Sequence, residues 1–289
     1  MTTNPAERLV DLLDLEQIEV NIFRGRSPQE SLQRVFGGQV AGQALVAAGR
    51  TTDGERPVHS LHAYFLRPGR PGVPIVYQVE RVRDGRSFTT RRVTAVQQGR
   101  TIFNLTASFH KPEEGPFEHQ LPPAREVPDP ESLPTVTDEI RKHLGALPEQ
   151  LERMARRQPF DIRYVDRLRW NTEEIQGAEP RSAVWMRAVG PLGDEPLVHT
   201  CALTYASDMT LLDAVRIPVE PLWGPRNFDM ASLDHAMWFH RPFRADEWFL
   251  YDQESPVATG GRGLARGRIY DVRGRLLVSV VQEGLFRAL

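Results

Sequence analysis

The sequence predicts an α+β protein built from two tandem units, each an antiparallel sheet wrapped around a long central helix. Three observations predict this class: each half contains an apolar helix pattern, each pattern is followed by strands separated by turn signals, and the halves share matching segments. The matching segments are residues 43–50 with 201–208, 60–68 with 232–242, and 99–109 with 274–284. The matches are weak residue by residue, so the common order of elements is the stronger evidence for a duplicated unit.

The composition is that of a globular protein, with 289 residues, 40% of them hydrophobic and 26% charged. This length accommodates two domains with a core each. The net charge of −2 lacks the basic excess that nucleic-acid binding requires. The single cysteine, Cys201, excludes an intramolecular disulfide and a cysteine-rich zinc site, and it fits a reducing compartment.

No apolar run approaches the roughly 20 residues of a membrane-spanning helix. The first residues contain no apolar signal core. We therefore expect a cytoplasmic protein that neither inserts into a membrane nor binds nucleic acid.

The first unit is expected over residues 1–112. Gly37-Gly38 opens a run rich in Ala, Val and Gln, from Gln39 to Ala48, whose apolar character predicts a helix buried on most sides. The other elements predicted here are a short amphipathic helix over 9–15 and strands over 19–23, 61–66, 75–82, 87–97 and 101–109, with turns at Asp84-Gly85 and Gln98-Gly99.

Residues 113–159 read as a connector that wraps the surface between the units. Prolines at short intervals break regular elements in its first half. Short helices are expected only around 139–144 and 149–157.

The second unit, residues 160–289, repeats the order of the first. Asp194-Glu195-Pro196 predicts a helix start with an acidic cap and proline in the first turn, and the helix should run to about residue 206. The predicted strands are 162–168, 183–188, 236–239, 247–253, 263–270 and 276–286, with a turn at Val272-Arg273-Gly274.

Gln282 interrupts an otherwise apolar face of the last predicted strand. Side chains of a strand alternate between faces, and the face that carries Gln282 is apolar at its other positions. Ala107 holds the matching place in the first unit. An unpaired buried amide costs roughly 1–3 kcal/mol, so Gln282 needs a ligand or a structural partner such as nearby backbone.

Asp208 directly follows the second central helix, where its counterpart in the first unit is Arg50. The helix dipole disfavours a carboxylate at this end, so Asp208 indicates function rather than stability, with a solvated loop aspartate as the alternative. Ser232, at the start of the strand that carries Trp238, is weak evidence alone. An acid, a hydroxyl and an amide together can hold one water molecule between them.

These residues carry a resemblance to the acyl-CoA thioesterase II family that covers nearly the whole chain. The similar segments are residues 36–39, 66–69, 205–208, 232–242 and 281–284, among which the tryptophan-centred segment 232–242 is long and specific. The resemblance implies a double hot-dog fold whose two sheets join back to back. It also implies hydrolysis of acyl-CoA thioesters to a fatty acid and CoA, without a metal or other cofactor.

The family's catalytic set of an aspartate, a threonine or serine, and a glutamine falls on Asp208, Ser232 and Gln282. In the mechanism we expect, Asp208 accepts a proton from a water that Ser232 and Gln282 orient, and that water attacks the thioester. The helix start at Gly37 and Gly38 is the candidate for stabilising the oxyanion, because helix N-termini expose free N–H groups.

Two other kinds of site are disfavoured by spacing. A triad of Ser232, His235 and Asp208 lacks a Gly-x-Ser-x-Gly elbow, and a regular strand would direct Ser232 and His235 to opposite faces. A zinc site drawn from the histidines at 59, 62, 235 and 240 has spacings that do not share a strand face. Core or surface roles are expected for these histidines, and inert packing for Cys201.

A non-catalytic acyl-CoA binding module on the same fold is the main functional alternative. A dehydratase or hydratase would require a histidine or acid at a central helix, and neither helix has that pattern. The partner expected is therefore the acyl-CoA substrate, together with further copies of the chain in a homodimer or homotetramer. Two arginine clusters, at 81, 83, 86, 91 and 92 and at 262, 266, 268, 273 and 275, are not assigned to the CoA phosphates.

Overall fold

The computed structural model describes residues 4–29, 33–145, 149–171, 173–222 and 227–289. Its helices are α1 (Pro5–Leu13), α2 (Gly37–Gly49), α3 (Val136–Leu144), α4 (Glu149–Arg157), α5 (Pro196–Ser207) and α6 (Asp213–Arg216). Its strands are β1 (Glu16–Glu19), β2 (Ile22–Gly25), β3 (Val58–Phe65), β4 (Ile75–Asp84), β5 (Phe88–Gln97), β6 (Arg100–His110), β7 (Phe160–Tyr164), β8 (Arg181–Ala188), β9 (Phe228–Ser232), β10 (Asp234–Phe239), β11 (Phe249–Thr259), β12 (Arg262–Asp271) and β13 (Leu276–Ala288).

The described strands form one antiparallel sheet in the order β1-β2-β4-β5-β6-β3-β10-β13-β12-β11-β8-β7, with β9 paired to one end of β13. The two halves meet in the middle of this order. There β3 of the first unit pairs with β10 of the second, with Leu61 opposite Met237. The expectation that the two sheets join back to back is therefore wrong. Backbone hydrogen bonds join the halves edge to edge, which satisfies the open edge of each.

The two central helices, α2 and α5, pack against each other in opposite directions. A Cβ atom on Gly38, at the start of α2, would lie 2.3 Å from the carbonyl oxygen of Tyr205 near the end of α5, and one on Gly42 would lie 3.1 Å from the carbonyl oxygen of Cys201. At the other end, Gly49 packs on Leu197. The glycines of α2 let the two backbones approach closely, which brings the start of one helix to the end of the other.

Both helices are buried in a single apolar core with the concave side of the sheet. Ala44 and Leu45 of α2, Ala202 and Leu203 of α5, and Val278 of β13 belong to this core. The apolar character of the helix sequences thus reflects contacts with a sheet on one side and a helix on another.

The connector packs on the opposite, convex side of the second unit. Trp185 donates its indole N–H to the carbonyl oxygen of Pro128 at 3.0 Å, and Arg163 donates to the carbonyl oxygen of Pro130 at 2.7 Å. A small apolar cluster around Trp185, Leu250 and Tyr270 lies beneath this segment.

Three local expectations differ from the structure. The single strand expected over 19–23 is a hairpin of β1 and β2 that turns at Val20-Asn21, and Asn is a residue that favours turns. The N-cap residue of α5 is Glu195, whose side chain makes no cap bond, and the neighbouring Asp194 pairs with Arg244 at 2.9 Å. Helix α6 and strand β9 were not expected, since both are short.

Candidate active site

Asp208 lies where the two central helices meet. It is the C-cap residue of α5, and Arg50 is the C-cap residue of α2, so the two occupy equivalent places in the duplicated units. The carboxylate faces the start of α2, since a Cβ atom on Gly37 would lie 2.6 Å from its Oδ2. The backbone N–H of Gly38 also donates to this carboxylate. Asp208 is thus held between the end of one helix and the beginning of another.

Gln282 reaches Asp208 from the last strand, as its position on the apolar face requires. Its side chain is fully buried, and its Nε2 donates to Asp208 Oδ1 at 2.7 Å and to Ser232 Oγ at 2.6 Å. The buried amide nitrogen of Gln282 is therefore satisfied by other side chains and not by the backbone.

Ser232 completes the cluster, although it does not begin the strand that carries Trp238. It ends β9, opposite Gly284, and its Oγ donates to Asp208 Oδ1 at 3.1 Å. The structure thus brings Asp208, Ser232 and Gln282 into mutual contact.

An interruption at Leu233 separates β9 from β10 and shapes this corner. The N–H of Leu233 donates to the carbonyl oxygen of Glu283 at 2.9 Å, and its carbonyl accepts from Phe65 N–H at 2.9 Å. The Asp234 carboxylate accepts from the N–H of Glu283 at 2.7 Å, which fastens the interruption to β13. Such irregularities re-aim side chains next to functional sites.

His235 is the site residue that sequence reasoning missed. It is 1% exposed, its Nδ1 lies 3.1 Å from Gln282 Oε1, and its Nε2 lies 2.8 Å from Ser207 Oγ. The argument that a regular strand separates Ser232 from His235 was wrong in its premise, because Leu233 breaks the alternation. The ring nonetheless faces Gln282 and Ser207, so His235 forms no pair with Ser232.

The surroundings make Asp208 a stronger base than a free aspartate. Burial raises the pKa of Asp208, and the electrostatic interaction with His235 and the hydrogen bonds from Gln282, Ser232 and Gly38 oppose this in part. Burial lowers the pKa of His235, against the opposing effects of Asp208, Gln282 and Asp234. A basic carboxylate beside a neutral imidazole suits proton transfer from water near neutral pH.

The equivalent place in the first unit carries none of this chemistry. Arg50 donates to the carbonyl oxygen of Leu15 at 2.6 Å and pairs with Asp14, which ties α2 to the first hairpin. Ala107 replaces the glutamine and pairs with Leu61. This asymmetry predicts one such site for each chain.

The two arginine clusters are largely accounted for by pairing within the protein. Members that form an ion pair with a carboxylate are Arg91, Arg92, Arg262, Arg266, Arg268 and Arg275. Arg91 is buried and also bonds Thr51. These contacts give most of the clustered arginines partners within the protein.

The cysteine and the possible metal and membrane segments considered from the sequence are not part of this site. Cys201 is buried in α5, and burial raises its thiol pKa well above the ordinary value. Across the described ranges, no three His, Cys, Asp or Glu side chains come close enough together to hold a metal ion. None of the helices in the described part of the chain is long and apolar enough to span a membrane.

Two family models match this chain, one in each half. The family model described as acyl-CoA thioesterase matches residues 154–285, and that of the acyl-CoA thioesterase N-terminal domain matches residues 26–110. The chain is 41% identical to human acyl-coenzyme A thioesterase 8, over 96% of this chain and 88% of the relative. It is 40% identical to acyl-CoA thioesterase 2 of Haemophilus influenzae, over 96% of both.

Solved structures of similar proteins have the same fold as this chain. An acyl-CoA thioesterase II from Mycobacterium marinum superposes with a TM-score of 0.79 at 45% identity, covering 97% of this chain and 98% of that one. A hot-dog protein from Alicyclobacillus acidocaldarius shares the fold with a TM-score of 0.78 at 20% identity, over the full length of both chains. The expected double hot-dog fold is confirmed, and the chain belongs to the acyl-CoA thioesterase family.

Proposed function

We propose that the protein hydrolyses acyl-CoA thioesters to a free fatty acid and CoA, with Asp208 as general base. The observation that carries the proposal is the convergence of Ser232 Oγ, Gln282 Nε2 and the start of α2 on one carboxylate. A water that replaces one of these contacts is oriented by the hydroxyl and the amide, and Asp208 takes its proton as it attacks the thioester carbon.

The first amides of α2, at Gly37 and Gly38, are the proposed oxyanion donors. They have no partner within the helix, and the helix dipole favours negative charge at this end. The Gly38 N–H donates to Asp208 in the resting site. As Asp208 takes up the proton its hold on that amide weakens, so Gly38 joins Gly37 at the carbonyl oxygen while charge develops there.

The product thiol leaves without an acyl-enzyme intermediate. The tetrahedral adduct collapses with cleavage of its C–S bond and expels the CoA sulfur as a thiolate. Asp208 then gives its proton to that thiolate, which yields the free thiol and the fatty acid and restores the ionised base. A thiolate is a good leaving group, so the reaction needs no strong general acid. We place the acyl chain along the aromatic residues near Gly37. Phe65 packs on that glycine, and the ring centroids of Phe36 and Tyr205 lie 4.9 Å apart in an edge-to-face arrangement.

Thiol release from a panel of acyl-CoA esters, run beside calorimetric binding of the same esters, separates this proposal from the acyl-CoA binding module. Turnover with release of one thiol for each ester consumed supports the hydrolase. Stoichiometric binding with no thiol released supports the module instead, because the fold alone does not decide between the two.

A further inference from the structure

His235 is a buried titratable group that the mechanism above does not use. It lies on the concave face of β10, and its two ring nitrogens contact Gln282 and Ser207. The chemistry of these two partners determines where the ring carries its protons.

The amide of Gln282 has only one orientation that suits its neighbours. A carboxylate accepts hydrogen bonds and cannot donate them, so the amide nitrogen must face Asp208 Oδ1, 2.7 Å away. The same nitrogen serves Ser232 Oγ at 2.6 Å. The amide oxygen therefore faces His235, and only a protonated Nδ1 can donate to it across 3.1 Å.

We propose that His235 is a positioning residue, whose Nδ1–H fixes the Gln282 amide so that its nitrogen faces Asp208 and Ser232. In the neutral ring, Nε2 then accepts the proton of the Ser207 hydroxyl, which rotates to the ring at 2.8 Å and away from its other acceptor, the Thr204 carbonyl oxygen at 2.9 Å. The proposal rests on the proposed hydrolysis only in assigning a catalytic purpose to the amide; the hydrogen-bond assignment stands independently.

The opposite tautomer sets two acceptors against each other. With the proton on Nε2, the lone pair of Nδ1 would face Gln282 Oε1 at 3.1 Å. Rotating the amide relieves that contact but places its oxygen 2.7 Å from the Asp208 carboxylate. The tautomer of His235 and the orientation of Gln282 are thus coupled, and only the Nδ1–H form provides Asp208 with both side-chain donors.

The charge state of the ring does not alter this result. Burial lowers the pKa of His235 and favours the neutral ring, and the charged groups that oppose this are Asp208 and Asp234. An imidazolium would carry a proton on both nitrogens, so Nδ1 donates to Gln282 in either state.

The duplicated unit supplies an independent comparison. In the first unit, Leu61 pairs with Ala107, the residue that matches Gln282. In the second unit, the polar residue on β13 is accompanied by a polar residue on the neighbouring β10. The imidazole and the amide therefore occur together in the unit that carries Asp208 and are both missing where it is replaced by Arg50.

The kinetic test compares three variants of the full chain. His235→Leu introduces the residue of the first unit and should lower kcat by about 100-fold with little change in KM, the loss expected when a reacting group is misplaced. His235→Asn retains an N–H near the position of Nδ1 and should recover most of that loss. His240→Leu, an exposed histidine that contacts Ser279, is the matched control and should leave kcat unchanged. Equal kcat in His235→Leu and the native protein, or equal loss in the Leu and Asn variants with unchanged melting temperatures, overturns the proposal.

The tautomer is measured directly by ¹⁵N NMR of the protein labelled at histidine, with His235 assigned by its substitution. A proton on Nδ1 supports the assignment, and a neutral ring protonated at Nε2 alone contradicts it whatever the activity. This separates the two proposals: native protein that releases no thiol from any ester refutes the hydrolysis, while the tautomer still decides the role of His235.

Discussion

At the scale of single residues, the site depends on how Asp208 is kept basic and ionised at the same time. Desolvation raises its pKa, and the donors Gln282, Ser232 and Gly38 limit that rise. A general base must be ionised to act, so the rate should fall as the pH drops through this raised pKa. Each donor therefore sets the position of the acidic limb of the pH profile.

Ser232→Ala should move that acidic limb to higher pH. The lost hydrogen bond favoured the ionised form, so its removal raises the pKa of Asp208 further. A hydrogen bond to a charged group contributes about 1.5–3 kcal/mol, so the midpoint of the acidic limb should move up by about one to two pH units. The control is Ser232→Thr, which keeps the hydroxyl and should keep the profile. An unshifted limb in the alanine variant would show that Ser232 does not act on Asp208.

A second residue-level prediction distinguishes Asp208 as base from Asp208 as nucleophile. In a single turnover in H₂¹⁸O, the label should enter the released fatty acid and leave the carboxylate of Asp208 unlabelled. A covalent acyl-aspartate would be a mixed anhydride, and water that attacks its aspartyl carbonyl would place label in the side chain. The mass of an acyl group on the Asp208 peptide in a rapidly quenched turnover reveals the intermediate whichever carbonyl the water attacks. Mass spectrometry of the peptide that contains Asp208 makes the comparison, and label there would refute the direct attack of water.

At the scale of elements, the proposed mechanism requires the start of α2 to approach the end of α5 without side chains between them. A Cβ atom on Gly37 would lie 2.6 Å from Asp208 Oδ2 and 2.8 Å from Phe65 Cε1. Both contacts are too short for real atoms, so a methyl group there must displace either the carboxylate or the helix.

Gly37→Ala should therefore reduce kcat by about 100-fold or more, since small displacements of reacting groups have effects of this size. The matched control is Gly115→Ala in the connector, where the added Cβ atom meets nothing closer than 3.5 Å. Thiol release and thermal unfolding of both variants check the prediction. Native activity in Gly37→Ala would remove α2 from the site.

The elements also show what the sequence could and could not predict. The apolar runs of α2 and α5 and the alternation of β13 are local patterns, so the central helices and the inward side chain of Gln282 were predicted. The interruption at Leu233 depends on hydrogen bonds to Glu283 and Phe65, which are distant in sequence and leave no periodic trace. His235 was missed for this reason, and only the strand registers show that it holds the place of Leu61, which pairs with Ala107 in the first unit.

At the scale of the whole molecule, the two units form one sheet and share one core. The pairing of β3 with β10 and the contact between α2 and α5 cross the boundary between the halves. The edge-to-edge junction involves strands far apart in the chain, which the sequence pattern cannot pair. The predicted cytoplasmic location and homo-oligomeric state stay predictions.

Because the halves share backbone hydrogen bonds and a core, the protein should unfold in a single cooperative transition. Differential scanning calorimetry should give equal calorimetric and van't Hoff enthalpies. Two separate transitions, one for each half, would contradict the shared core.

The central claim is that one chain assembles one hydrolytic site around Asp208, and the most direct test is thiol release from acyl-CoA esters by the native protein and by Asp208→Asn. A carboxyl whose pKa is raised on folding destabilises the folded state as the pH rises above the pKa of the unfolded chain, and fully above the raised pKa. The neutral variant should therefore unfold at the same temperature or higher at neutral pH. We predict a fall in turnover of several orders of magnitude with the fold intact. Turnover unchanged by the substitution would contradict the account, because it would leave Asp208 without the role around which the site is built.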